Sequence, residues 1–92
     1  MLFCVEMTVN IPLGSDLEKM DEIKKAEKER AIELQKLGKW PHLWRVTGKY
    51  SNISIFDVES NEELHNLLIS LPLFPYMSIQ VTALSQHPSS IH

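Results

Sequence analysis

Glu27 is the residue whose placement is hardest to read as surface decoration. Met20, Ile23, Leu34 and Leu37 recur at helical spacing and define an apolar stripe; Glu27 falls on its centre line and Arg30 nearer its edge. A carboxylate in apolar surroundings is costly to ionise unless it is paired or hydrogen-bonded. Burial therefore drives its pKa upward, toward the range a general base needs near neutrality. The bland alternative is a Glu27–Arg30 pair at i,i+3, with Lys24 and Lys28 as further partners, on a helix whose middle escapes the core. Periodicity leaves both readings open.

A second cluster lies in HLWRVTGKYSN, His42 to Asn52. Arg45, Thr47 and Lys49 alternate with Trp44, Val46 and Gly48, so the cations suit a solvated sheet face, and Tyr50, Ser51 and Asn52 suit a turn. The functional alternative has Arg45 or Lys49 neutralising a substrate carboxylate while Tyr50 and Asn52 donate hydrogen bonds. Trp40 and Trp44 read first as core or interface anchors and second as pocket walls. Spacing alone does not decide.

Other chemistries find little support. His42, His65, His87 and His92 lack metal-ligand spacing, and the single Cys4 neither completes a site nor makes an internal disulfide. No phosphate loop, nucleophile elbow or dinucleotide fingerprint is present, so the expectation is chemistry without metal or cofactor. A net charge of −3 with no Lys/Arg block gives no electrostatic reason for a nucleic-acid or membrane-surface partner. MLFCVEMTVNIP does not read as a signal peptide, and no run approaches the roughly 20 apolar residues of a membrane span. The expectation is a single cytoplasmic domain over residues 1–92.

These residues need elements to hold them. Phe3, Val5, Met7 and Val9 alternate with Cys4, Glu6 and Thr8 over Leu2 to Val9, the pattern of a half-buried strand. Ser15 followed by Glu18 predicts a capping box opening a helix to about Leu37, with Gly38 as its stop. Trp40–Tyr50 and Asn52–Val58 read as two strands in a hairpin turning at Tyr50-Ser51-Asn52. Ser60 and Glu63 predict a second capping box, before a helix marked by Leu64, Leu67, Leu68 and Leu71. A fourth strand follows LPLFP, over Tyr76–Leu84, and residues 85–92 form a polar tail. The order βαββαβ predicts an α+β, ferredoxin-like domain: a four-stranded antiparallel sheet with two helices on one face. Its other face, with Cys4, Glu6, Thr8, Ser78, Gln80, Thr82 and Leu84, is too mixed for a second core and suits contact with another subunit.

MLFCVEMTV at the start, AEKERAIELQKLGKWPHLWRVTGKYSNISIFDV in the middle and LPLFPYMSIQVTALSQHPSSIH at the end together resemble the muconolactone delta-isomerase family. HLWR, FDV, LPLFPYM and HPSSIH, in this order and spacing, make the resemblance specific, and it covers essentially the whole chain. It implies a cofactor-free isomerase of catechol degradation, in the β-ketoadipate pathway, that converts muconolactone to 3-oxoadipate enol-lactone by a 1,3-proton shift. It also implies subunits paired sheet to sheet as a dimeric α/β barrel, dimers gathered into a homodecamer, and a C-terminal tail reaching a neighbouring subunit. Under this resemblance Glu27 is the base, Tyr50 and Asn52 its catalytic partners, and Arg45 and Lys49 bind the substrate carboxylate. Arg45 is preferred over Lys49, because a planar guanidinium grips a carboxylate bidentately. Trp40, Trp44 and Phe74 supply apolar walls. The family pattern has histidine where this chain has Cys4 and Lys49, and an acidic residue at Ala26. Two other readings fit the same fold: a 5-chloromuconolactone dehalogenase, and a non-catalytic dimeric α/β-barrel protein that binds a small ligand.

Overall fold

The alternation along the first strand is what lays down the core. In the computed structural model, which describes residues 1–92, β1 (Leu2–Val9) buries Phe3, Val5, Met7 and Val9 on one face. Chain order then runs α1 (Leu17–Lys36), β2 (His42–Arg45), β3 (Ser51–Asp57), α2 (Asn61–Ile69), a 3₁₀ turn (Phe74–Tyr76) and β4 (Met77–Leu84). The strands form one antiparallel sheet ordered β2-β3-β1-β4. This is the ferredoxin-like βαββαβ arrangement expected from the sequence.

Register decides what shares a face with the core. Phe3 pairs with Phe56, Val5 with Ser54 and Met7 with Asn52, so the even-numbered residues of β3 join the buried face. Leu43 pairs with Ser54 and Arg45 with Asn52, so these two residues of β2 point the same way. A main cluster of Phe3, Val5, Met7, Leu34, Phe56 and Leu64, with further leucines of α2, packs around Trp40. Trp40 stacks on Phe56 with ring centroids 4.7 Å apart. Each such side chain contributes about 1.5–3 kcal/mol when fully removed from water. A smaller cluster of Val9, Met20 and Leu73 closes the end of the sheet beside α1.

Several local expectations are corrected. The N-cap of α1 is Asp16, whose carboxylate accepts from the Glu18 and Lys19 amides at 3.0 and 3.2 Å. Ser15 instead turns back and donates to the Pro12 carbonyl at 2.6 Å. Leu37 is the exposed C-cap and not part of the buried stripe; Ala31 takes that role beside Met20 and Leu34. Gly38 follows with φ +76°, the left-handed residue that stops the helix. The second strand is only four residues long, and Trp40 precedes it. The hairpin reverses at Val46–Lys49, where the Lys49 amide donates to the Val46 carbonyl at 3.1 Å and Gly48 has φ +83°. A turn with positive φ at its third position favours glycine there, so reversal occurs before Tyr50. Ser60 does cap α2, accepting from the Glu63 amide at 3.0 Å. Glu63 reaches back to the Glu59 amide at 2.9 Å and pairs with Lys39 at 3.3 Å.

Candidate active site

Between α1 and the β2–β3 hairpin the helix-side face of the sheet is left uncovered, and a cleft of about 840 Å³ opens there. The helical wall presents Lys24, Glu27, Lys28 and Gln35; the hairpin wall presents Arg45, Lys49, Tyr50 and Asn52. Trp40, Leu73 and Met77 supply apolar surface. Of the eight residues singled out from the sequence, six line this cleft: Glu27, Trp40, Arg45, Lys49, Tyr50 and Asn52. The other two do not. Trp44 lies on the opposite face of the sheet, 55% exposed and stacked on His42 at 5.1 Å, because it is one residue out of phase with Arg45. Phe74, in the 3₁₀ turn, packs against the main core.

Glu27 has no cationic partner. Arg30 pairs with Glu33 at 2.7 Å and donates to Ser70 Oγ at 3.1 and 3.2 Å, which removes the i,i+3 pair considered above. What holds the Glu27 carboxylate is the backbone: the Leu73 amide donates to its Oε1 at 2.8 Å. Half-burial raises the Glu27 pKa above the usual glutamate value, and the Leu73 hydrogen bond offsets part of that shift. The result is a fixed carboxyl group, facing a cleft, that gains a proton more readily than a surface glutamate does.

The hairpin wall is organised as sharply. Asn52 Oδ1 accepts from the buried Ser54 hydroxyl at 2.7 Å. With its oxygen engaged, the amide is oriented so that Nδ2, the donor end, is left for another acceptor. Arg45 is the cross-strand neighbour of Asn52 on the same face, and directly opposed side chains lie within about 5.5 Å at Cβ. Tyr50 is anchored through its carbonyl, which accepts from the Val9 amide at 2.9 Å, and its ring stays half-exposed. Lys24 Nζ lies 5.6 Å from the centre of that ring, linking the two walls by a cation–π contact.

A carboxyl group poised to exchange a proton, uncharged donors from Tyr50 and Asn52, and cations suited to an anionic ligand can together move a proton on a substrate that bears a carboxylate. No three His, Cys, Asp or Glu side chains converge as a bound metal ion would require. Sequence reasoning missed two supports of the site. The Leu73 amide is a backbone group with no side-chain signature. Ser54 is a strand residue whose role follows only from its i,i+2 relation to Asn52.

Comparison with known proteins points one way. The family model described as muconolactone delta-isomerase matches residues 1–90. The muconolactone delta-isomerase of Acinetobacter baylyi is 58% identical over 91 residues, which span 99% of this chain and 95% of that protein. Muconolactone delta-isomerase 1 of Acinetobacter lwoffii is 62% identical over 91 residues, with the same coverage. A crystal structure of muconolactone isomerase matches with a TM-score of 0.95 at 55% identity, over 100% of this chain and 96% of that one.

Proposed function

The chain belongs to the muconolactone delta-isomerase family, and we propose that it isomerises muconolactone to 3-oxoadipate enol-lactone by a 1,3-proton shift run by one carboxylate. The observation that carries the mechanism is Glu27, half-buried and held by the Leu73 amide with no cation paired to it. As carboxylate it removes a carbon-bound proton; as carboxylic acid it returns that proton to another carbon on the same face of the ring. The electron pair moves through the conjugated lactone, whose carbonyl oxygen gains charge in the transition state. Tyr50 and the oriented Asn52 amide donate to that oxygen, and one well-placed donor of this kind is worth about 2.7–4 kcal/mol. Arg45 grips the substrate's own carboxylate and Lys49 supports it from the turn. Trp40 walls the apolar side.

The subunits pair through the outer sheet face as a dimeric α/β barrel, and the dimers gather into a decamer. Exposed Leu2, Trp44, Ile53 and Leu84 on that face support the pairing, since an apolar patch of this kind is stabilised by being covered. The tail, residues 85–92, packs on a neighbouring subunit; within its own subunit every one of these residues is exposed. A lone free Cys4 suits a reducing cytoplasm.

The purified chain, with nothing added, is expected to isomerise muconolactone and to release little chloride from 5-chloromuconolactone. Rapid chloride release with negligible isomerisation would reassign it as a dehalogenase on the same scaffold. Ligand binding with neither reaction would make it a binding protein.

A further inference from the structure

The charges of the cleft are out of proportion to those of the chain. Four of the nine Lys and Arg side chains line it (Lys24, Lys28, Arg45 and Lys49), against one of the twelve Asp and Glu, Glu27. None of the four is in an ion pair, whereas Arg30 and Lys39, which lie outside the cleft, are paired with glutamates. The chain as a whole carries −3. Outside the cleft the remaining five Lys and Arg are set against eleven Asp and Glu, so positive charge is gathered at the cleft on a chain that is acidic elsewhere. Arg45 and Lys49 on the hairpin already account for gripping one carboxylate. Lys24 and Lys28, on the facing helix, do not share that task.

We infer that Lys24 and Lys28 are anion-gathering residues: they draw carboxylate-bearing ligands into the cleft through their long-range field, separately from the grip of Arg45. This deepens the function proposed above and rests on it for the identity of the ligand. Both lysines are exposed, so they act through water, where an ammonium remains effective over the screening length. Lys24 is additionally held over Tyr50, which fixes one of the two charges at the mouth. Lys19 and Lys25 lie on the same helix and outside the cleft lining, and so provide a control of identical charge.

The test compares wild type, Lys24→Gln/Lys28→Gln and Lys19→Gln/Lys25→Gln. Calorimetry measures binding of a saturated lactone carboxylic acid, which has no double bond to move, and of its uncharged methyl ester. The expectation is that Lys24→Gln/Lys28→Gln weakens acid binding about fivefold at about 20 mM salt, and that the gap closes toward about 300 mM as the screening length contracts. The Lys19→Gln/Lys25→Gln pair should stay within about twofold of wild type, and ester binding should not respond to salt in any of the three. Equal losses in both double variants would assign the effect to overall charge, and an unchanged salt dependence in Lys24→Gln/Lys28→Gln would remove the role; either result overturns the inference. Turnover of muconolactone is assayed in parallel. Salt-dependent binding without turnover would count against the proposed reaction while leaving the gathering role standing, and turnover with salt-independent binding would do the reverse.

Discussion

At the scale of single residues, the proposed site sets the half-buried Glu27 carboxyl across the cleft from Tyr50 and from Asn52, whose amide is turned by the Ser54 hydroxyl. Because burial raises the Glu27 pKa, the acid limb of kcat/KM should have its midpoint above the usual glutamate value of 4.5. Activity rises with pH through that midpoint, since the base must be ionised, and a rate–pH profile checks it. Stability has the opposite sign. A group that binds its proton more tightly when folded contributes most below its unfolded pKa, and loses that contribution as pH rises through the folded one. The gap between wild type and Glu27→Gln in chemical denaturation should therefore shift against wild type from acid to neutral pH. Ser54→Ala removes the bond that turns Asn52. The expected outcome is a lower kcat with a stability loss of about 1 kcal/mol, and Ser54→Thr, which restores a hydroxyl, should recover part of the rate if it packs. Loss of stability with unchanged kcat would confine Ser54 to the core.

At the scale of elements, legibility followed whether the signal was carried by side-chain types or by backbone geometry. Ser60 was readable as a cap because Glu63 stands three residues on, the spacing of a capping box, although Asn61 beside it is also a capping type. At the other helix Ser15 and Asp16 are adjacent, and the choice depended on a turn at Pro12 that recruits the serine hydroxyl. Asp16→Ala should cost about 1 kcal/mol, whereas Ser15→Ala should cost less; thermal or denaturant melting of both separates them. The stripe of α1 was legible enough to mark Glu27, yet its partner was not, because the Leu73 amide belongs to a turn distant in sequence. Trp44 was misplaced for a related reason. The strand before the turn is four residues long, and period-two alternation puts Trp44 on the outer face as soon as Arg45 faces the cleft. Phe74 looked like a wall residue by type alone and is taken up by the core.

At the scale of the whole molecule, a sheet with helices on only one face leaves Leu2, Trp44, Ile53 and Leu84 exposed on the other, the surface proposed above for a second subunit, and the tail is exposed throughout. The Ser89 amide donates to His87 Nδ1 at 3.0 Å and Gln86 Nε2 to the His92 carbonyl at 3.0 Å, so its bonds are internal to the tail. Deleting the residues after Ser85 should weaken assembly or activity, read by sedimentation and turnover; an unchanged oligomer with an unchanged rate would show the tail to be dispensable. The proton shift remains the claim on which the rest depends. Glu27→Gln is its sharpest probe, because the amide oxygen can still accept from Leu73 while the group can no longer act as a base. Muconolactone isomerisation by this variant, measured on an oligomer shown by sedimentation to match wild type, is predicted to fall by at least about 10²-fold. A rate within a few-fold of wild type would contradict the account.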